Sequence, residues 1–363
     1  MKKFLKQSKK IFFFCPSIEE GGVEKNLINI SNKLCKDIQL YIITANNDKK
    51  KFFDKRIKFL STNKSFFNKK SRILKSLVCF FLLFKNTTSK NDVVVSFQSN
   101  IFAIIYCKIL GCKIIIRPNT APNFYAKNLF KKILMSFLYK FANKIFVNSQ
   151  DFQREFKKYF NLNSVLIYNS VEDKFKIQLN YNKKINFNFF KNDKKSLKII
   201  SIGRLVEQKD HITILKALNL IKKTKKFKFC LIGKGNEKYK LLKFIKKNNL
   251  TSFVKLVGYK KNVYPYYKAA DLFILSSVYE GSPNVLIEAL TTGIQIISSN
   301  CKTGPREILE KNKYGKLFNI KDYKSLSKLI LKTKKRNNKF FIKDKRFDIN
   351  NNITKYKNLI NSV

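Results

Sequence analysis

A single histidine, His211, stands in the whole chain, and the seven cysteines contain no Cys-x-x-Cys pair. A zinc site built from the usual nitrogen and sulfur ligands is therefore not expected. The cysteines, at positions 15, 35, 79, 107, 112, 230 and 301, are odd in number and scattered, which fits reduced thiols rather than a disulfide framework. Six prolines and eleven glycines exclude collagen-like and proline-rich low complexity. Acidic residues are scarce: 23 Asp and Glu stand against 76 Lys and Arg, for a net charge of +53. No stretch reaches the roughly 18 uninterrupted apolar residues of a membrane span. The longest candidates are residues 77–84 and 101–116, and Lys108 and Lys113 interrupt the second. The start, Met1-Lys-Lys followed by Ile11-Phe-Phe-Phe-Cys15, has the outline of a signal peptide. Its apolar run is too short, and Glu19-Glu-Gly-Gly22 stands where a cleavage site belongs. Residues 11–15 read instead as a first buried strand.

What is present in quantity is apolar. Hydrophobic residues make up 44% of the 363, with 35 Phe, enough to bury two cores, so the charge does not signal a disordered chain. The positive charge admits three readings. Nucleic acid would exploit it by phosphate neutralisation, and an anionic membrane surface would exploit it too. The third is compositional, since Lys, Asn, Ile and Phe are the residues of A·T-rich codons. The aromatics sit in apolar runs rather than interleaved with Arg as stacking platforms, which weakens the nucleic-acid reading.

Short apolar runs alternate with helical stretches. Strands are expected at 11–15, 39–44, 93–97, 113–117, 144–148 and 165–168, with helices such as 24–35 and 129–143 between them. Alternation of this kind specifies a parallel sheet with helices on both faces. Residues 172–196 are polar, rich in Asn and Lys, and show little periodicity. The alternation restarts with strands at 198–202, 227–232, 253–256, 272–275 and 294–297. The fold class is thus α/β, with two doubly wound domains: residues 1–170, residues 171–345, and a last helix in 346–363 packing back on the first domain. The tail 334–345 is basic. Ligands of such sheets bind beyond the carboxyl ends of the strands, so the chemistry is sought in the loops there.

Four clusters occupy such loops. In Ser201-Ile-Gly-Arg-Leu-Val-Glu-Gln-Lys-Asp-His211, Gly203 permits a tight turn, and Arg204 and Lys209 are two fixed cations suited to a diphosphate. In Tyr279-Glu-Gly-Ser-Pro-Asn-Val-Leu-Ile-Glu288, Pro283 suits the first turn of a helix and Ser282 its cap. The amides of such a helix start suit phosphate, and Glu280 and Glu288 suit sugar or ribose hydroxyls. The bland alternative is a helix start with a capping carboxylate. Gly21 and Gly22, after the first strand, let backbone approach a ligand, or simply make a turn. Leu231-Ile-Gly-Lys-Gly-Asn236, with Gly233, is a strand-to-helix turn without the ending of a Walker loop.

Together these segments resemble the group 1 glycosyltransferases, glycosyltransferase family 4, of GT-B fold. The carrying segments are Gly-Gly-Val-Glu (21–24), Ile-Tyr-Asn-Ser-Val (167–171), Gly-Arg-Leu-Val-Glu-Gln-Lys (203–209), Ile-Gly-Lys-Gly (232–235), Leu-Val-Gly-Tyr (256–259, with Gly258), Ala-Asp-Leu-Phe-Ile-Leu-Ser-Ser (270–277), and the Glu280-x₇-Glu288 pair. The likeness covers nearly the whole chain and is strongest over 199–318. It implies two Rossmann-like domains facing across a cleft, the second binding a nucleotide-sugar. It also implies roles. Arg204 and Lys209 would hold the diphosphate, Glu280 the donor sugar, Glu288 the ribose, and the amides of Ser282, Pro283, Asn284 and Val285 would lie against sugar and phosphate (proline offering only its ring). Gly22 would let the first domain approach the donor phosphate. Asn300-Cys-Lys-Thr-Gly-Pro-Arg-Glu307 resembles bacterial surface-glycan transferases that use UDP-sugars. One departure stands out: many members place a His after a first-domain strand, where this chain reads Ile116-Arg-Pro-Asn119. Asn119 or Arg117 is expected there, and His211 is read as a surface or capping residue.

The activity implied is retaining transfer of a sugar from a UDP-sugar to a lipid-linked or glycan acceptor in surface-polysaccharide or glycolipid assembly, with Glu280, Arg204 and Lys209 as the catalytic groups. No cofactor or metal is expected, because the two cations and a helix end can stabilise the leaving group. The mixed apolar and basic stretches 66–81 and 124–140 suit an anionic bilayer surface, or core helices with solvated faces. The expected location is cytoplasmic, peripheral at the inner face of the plasma membrane, with no nucleic-acid partner. Two rivals stay open. A sugar-nucleotide epimerase would share the fold but use no acceptor, and a basic nucleic-acid-binding protein would transfer no sugar.

Overall fold

The computed structural model describes residues 9–335 and 344–363, apart from 20, 63–70, 121, 123–124, 126–127, 172–173, 185–186, 192 and 194. The expected segments 66–81, 124–140 and 334–345 thus lie partly outside the described residues. The chain divides into two compact units, residues 1–170 with 349–363, and residues 171–348.

The first unit is built on a parallel sheet of seven strands: β1 (Ile11–Phe14), β2 (Leu40–Ile43), β3 (Lys58–Leu60), β4 (Val93–Ser96), β5 (Lys113–Ile116), β6 (Lys144–Val147) and β7 (Val165–Leu166), in the order β3-β2-β1-β4-β5-β6-β7. Strands covered on both faces read as unbroken apolar runs, and β1 is buried along its length. Its side chains alternate. Ile11 and Phe13 enter one core with the helices Gly22–Leu34 and Ile349–Asn361. Phe12 and Phe14 enter the opposite core with the helices Arg72–Asn86, Asn100–Leu110, Leu129–Tyr139 and Gln150–Phe160.

The second unit has six parallel strands: β8 (Leu197–Ile202), β9 (Phe227–Ile232), β10 (Val254–Gly258), β11 (Leu272–Leu275), β12 (Gln295–Ser299) and β13 (Lys316–Phe318), ordered β10-β9-β8-β11-β12-β13. In each sheet the strand order reverses once, between β1 and β4 and between β8 and β11. Such reversals leave room for a ligand beyond the carboxyl ends of the two strands.

Sequence reading missed β3 and β13, three-residue edge strands that are only partly buried and so carry no unbroken apolar run. The stretch 172–196, polar and of little periodicity in the sequence, contains the helices Lys174–Asn182 and Asn188–Lys191. The helix expected over 129–143 stops at Tyr139. Residues 346–348 belong to the second unit rather than to the terminal helix. There Arg346 donates to the Glu307 carbonyl at 3.0 Å and Val171 N–H to the Phe347 carbonyl at 3.2 Å.

The terminal helix buries Ile349, Asn352, Ile353, Tyr356, Leu359 and Ile360, one stripe at helical spacing. Tyr356 stands edge-on to Phe146 with centroids 5.3 Å apart, and Asn352 donates to Ser170 Oγ at 3.1 Å. The helix therefore completes the first unit's core despite following the second unit in sequence. Tyr356→Ala should cost about 3 kcal/mol by loss of aromatic burial. Urea unfolding followed by a probe in the first unit should show the loss, and an unchanged midpoint would refute it.

Candidate active site

The loop after β8 is bound to its neighbours through backbone. Gly203 N–H donates to the Ile232 carbonyl at 3.0 Å, Leu205 N–H to the Lys234 carbonyl at 2.9 Å, and Glu237 N–H to the Leu205 carbonyl at 2.9 Å. Chains this close leave no room for a side chain at Gly233, where a Cβ would fall 1.8 Å from the Gly203 carbonyl oxygen. Gly258 differs: its φ of +71° calls for glycine, and nothing stands near its missing Cβ. At Gly203 a Cβ would meet only the Lys209 methylenes, at ordinary contact distance.

His211 opens the helix His211–Ile221 and is buried, not a surface or capping residue as the sequence suggested. Its Nε2 lies 3.2 Å from the Arg204 carbonyl oxygen and its Nδ1 3.4 Å from Ser201 Oγ. A neutral ring satisfies both, donating from Nε2 and accepting at Nδ1. Burial, reinforced by the Lys209 charge, pushes its pKa down to about 4. The ring ties the loop to the end of its own strand.

The same loop is stitched to the loop after β11. Val278 N–H donates to the Gln208 carbonyl at 2.9 Å, Gln208 Nε2 to the Tyr279 carbonyl at 2.9 Å, and Ser276 Oγ to the Lys209 carbonyl at 2.8 Å. These bonds bring Lys209 Nζ onto Glu280 Oε1 in an ion pair whose side chains are 12% and 8% exposed. Ser277 Oγ donates to the same carboxylate oxygen at 2.6 Å, and Thr303 Oγ1 to the Glu280 carbonyl. Arg204 remains exposed, with Nη2 3.2 Å from Gln208 Oε1.

The helix Asn284–Thr291 follows, and Pro283 rather than Ser282 is its cap residue, with no side-chain capping bond. Leu286 N–H already reaches the Pro283 carbonyl, so the helix starts one residue later than expected and Ser282 lies outside it. Val285 stands in its first turn. A Cβ at Gly304 would lie 2.7 Å from the Gly281 carbonyl oxygen, so the loop after β12 presses on this one. Glu288 is buried beside Tyr267, whose hydroxyl donates to the Val285 carbonyl at 2.8 Å. Burial, and then the Glu288 carboxylate, hold that hydroxyl's pKa well above the ordinary tyrosine value.

The remaining expected residues lie in the first unit. Gly21 caps the helix Gly22–Leu34, and a Cβ there would meet the Glu24 carboxylate. Asn119 is exposed beyond β5, its Nδ2 donating to the Phe97 carbonyl at 2.6 Å. Arg117 is 1% exposed and donates to Asn169 Oδ1 at 2.7 Å, so it is a buried group whereas Asn119 is exposed. Among the described residues, no group of three or more His, Cys, Asp or Glu side chains is arranged to hold a metal ion.

Residues 182–355 match the family model described as glycosyl transferases group 1. Over those residues, almost half of its length, the chain carries the sequence of the group 1 glycosyltransferases. It is 35% identical over 193 residues to an uncharacterized glycosyltransferase of Methanocaldococcus jannaschii, a match over 51% of this chain and 47% of that one. It is 28% identical over 335 residues, 87% of this chain and 88% of the other, to a Campylobacter jejuni enzyme. That relative is named N-acetylgalactosamine-N,N'-diacetylbacillosaminyl-diphospho-undecaprenol 4-alpha-N-acetylgalactosaminyltransferase. In fold it is similar to Anabaena HepE, solved with UDP and glucose, at a TM-score of 0.75 and 18% identity over 98% of this chain and all of that one. It is likewise similar to Staphylococcus aureus TarM, at 0.74 and 15%, over 97% and 100%.

A group 1 glycosyltransferase is a sugar-transferring enzyme, and the two parallel sheets with flanking helices are those of GT-B structures. The epimerase reading is not favoured. Sequence reasoning did not single out Gln208, Ser276, Ser277, Thr303 or Gly304, although each falls in or beside a segment that carried the resemblance. A hydroxyl or glycine has no periodicity, and its acceptor or neighbour is set by tertiary contact.

His211 has a testable consequence. Its pKa falls from an ordinary 6.5 to about 4 on folding, so between those values the unfolded chain binds the extra proton. Stability should therefore be lost as pH drops from about 6.5 to about 4, by about 3 kcal/mol from this group. Replacing it as His211→Gln should flatten denaturation midpoints across that window, and parallel curves for the two proteins would refute the assignment.

Proposed function

We propose that the chain moves a sugar, with retention, from a UDP-sugar to a lipid-linked acceptor in the assembly of a surface polysaccharide or glycolipid. The observation that carries the reading is the partly buried Lys209–Glu280 pair, beyond the carboxyl ends of β8 and β11, with Arg204 exposed on the adjoining loop. Lys209 and Arg204 are the cations for the diphosphate, and Glu280 accepts from hydroxyls of the donor sugar. The start of the helix Asn284–Thr291 offers first-turn amides to sugar and phosphate, and Glu288 is assigned to the ribose. Gly22 permits approach to the donor phosphate.

The chemistry needs no protein base. As the bond from the anomeric carbon to the β-phosphate oxygen breaks, the acceptor oxygen bonds to that carbon on the same face. The acceptor's proton passes to the departing phosphate. The protein's part is positioning and stabilisation of charge growing on the diphosphate. Arg204 and Lys209 supply that charge stabilisation, so the reaction is assigned as metal-independent. Support for the donor comes from HepE, solved with UDP and glucose. Support for the acceptor comes from the Campylobacter relative, whose name specifies a diphospho-undecaprenol carrier and an alpha linkage.

A lipid-linked acceptor calls for access to a bilayer surface. Among the described residues no helix is long and apolar enough to cross a membrane. In the first unit, however, the helices Arg72–Asn86, Asn100–Leu110 and Leu129–Tyr139 line one face of the sheet. Their outward sides expose Phe81, Phe84, Ile109, Phe130, Ile133 and Phe137 beside Lys85, Lys108 and Lys131. Apolar side chains interleaved with lysine suit the headgroup boundary of an anionic membrane, at the cytoplasmic face of the plasma membrane.

Arg204→Ala should weaken UDP binding roughly 10- to 150-fold, the worth of a charge-assisted hydrogen bond at about 1.5–3 kcal/mol. Turnover should fall further, because the diphosphate gains charge toward the transition state. Arg204 is the cleaner probe, since truncating Lys209 would also strand a buried carboxylate. Glu280→Gln should lower turnover by orders of magnitude in a folded protein, and EDTA should leave wild-type activity intact. Activity abolished by EDTA, or an unimpaired Arg204→Ala enzyme, would sink this account. In co-sedimentation, anionic vesicles should bind the chain at low salt and release it as the Debye length shrinks from roughly 30 Å at 0.01 M to roughly 10 Å at 0.1 M. Equal binding to neutral vesicles would exclude electrostatic docking.

A further inference from the structure

Lys75 takes no part in the chemistry above, yet it is held at a cost. It lies in the first turn of the helix Arg72–Asn86 and is 6% exposed. Burial penalises an ammonium that lacks a counter-charge, and the positive end of a helix dipole penalises it again. An ammonium has three donors, and among the described residues this one has a single acceptor, the neutral Ser17 hydroxyl at 3.1 Å. Among the described residues no carboxylate forms an ion pair with it.

Its surroundings are those of a ligand site. Ser17 follows β1, and its N–H donates at 3.3 Å to the side chain of Gln98, which follows β4. These strands are the pair at which the first sheet's order reverses, where parallel sheets take ligands. Two acids stand nearby, and neither neutralises the lysine directly. Glu19 accepts from Ser17 Oγ at 2.9 Å. Glu24 accepts from Gln98 Nε2 at 2.7 Å, and burial raises its pKa, moving it toward the neutral form. Arg72, exposed one turn earlier in the same helix, adds a second positive charge that acts on Glu24.

We propose that Lys75, with the Ser17 hydroxyl, binds a phosphate group of a substrate at the carboxyl end of the first sheet. The proposal rests on the reading of the chain as a transferase with phosphate-bearing substrates. Two such groups exist in that reading, the diphosphate of the nucleotide donor and the phosphate that joins an acceptor sugar to its lipid. The recognising chemistry is the same for both.

Pyrophosphate is the probe, titrated calorimetrically into the full chain carrying Arg204→Ala, so that the exposed one of the second unit's two cations does not dominate. Adding Lys75→Met should weaken pyrophosphate binding at least tenfold. The stability readout separates a ligand-binding lysine from a packing one. Without anion, Lys75→Met should raise the first unit's melting temperature, by about 2–4 °C for each kcal/mol gained, and pyrophosphate should no longer raise it further. Lys75→Gln, neutral but still polar, should lose the same binding and provides a second variant if Met fails to fold. The source follows from kinetics in the Arg204 wild-type background. Weaker UDP binding assigns the donor diphosphate, whereas an unchanged UDP affinity with a raised KM for a diphospholipid-linked acceptor assigns the acceptor. If Lys75→Met melts lower and binds pyrophosphate, UDP and acceptor as before, Lys75 is a packing residue and the proposal is overturned, while the transferase reading stands. If the wild-type chain binds no nucleotide-sugar, that reading falls, and the pyrophosphate titration still decides the fate of Lys75.

Discussion

A buried carboxylate needs more than a counter-ion to hold it, because its other lone pairs lose water too. The second unit is organised around meeting that need for Glu280. Lys209 supplies the charge, Ser277 a second hydrogen bond to the same oxygen, and Thr303 fixes the backbone from which the side chain springs. Each of these groups is itself held. Ser276 binds the Lys209 carbonyl and Ser299 binds the Ser277 carbonyl at 2.6 Å. Loops after three neighbouring strands, β8, β11 and β12, are thereby locked to one another, and the ion pair is the point they share. The nearby Cys301 thiol feels the same environment: burial, and then the Glu280 charge, push its pKa up to about 12.

Rigidity of the cation loop comes from a different source. The close approach at Gly233 and Gly235 lets the loops after β8 and β9 exchange backbone hydrogen bonds directly. His211 completes the arrangement from below by accepting burial and giving up its charge. A histidine that titrates near 4 holds the Arg204 carbonyl throughout the neutral range, which a solvated imidazole would not do as steadily. The loop that carries both cations is therefore held in place by the fold itself, and under the proposed function that is the preorganised charge a leaving group calls for.

The first unit treats its charges differently. Arg117 is buried against Phe97 and Asn169, and burial holds its pKa below the ordinary value. Here a guanidinium is spent on joining β5 to the segment that precedes the second unit, with Asn26 and Asn352 both bonded to Ser170 nearby. The terminal helix is part of this network, which is why a segment remote in sequence is required by the first core.

The sequence by itself determined the architecture and which loops follow the carboxyl ends of the strands. Strands such as 11–14 and 227–232 are legible because burial on both faces leaves them no polar position. Arg204, Lys209, Glu280 and Glu288 stand out in the sequence because their spacing fits loops between a strand and a helix, and the structure places the first three on adjoining loops. The three-residue edge strands were not legible, since an edge relaxes the demand for apolar side chains. Only the tertiary structure decided which of two candidates at one place is buried. Arg117 and Asn119 look alike as replacements for a missing histidine, and the fold buries the first and exposes the second. It likewise decided that His211 is a tether, that Ser282 is not a cap, and that Lys75 is buried against Ser17. These outcomes depend on which strand end lies against which helix start, and distance in space between residues far apart in sequence leaves no mark in local pattern.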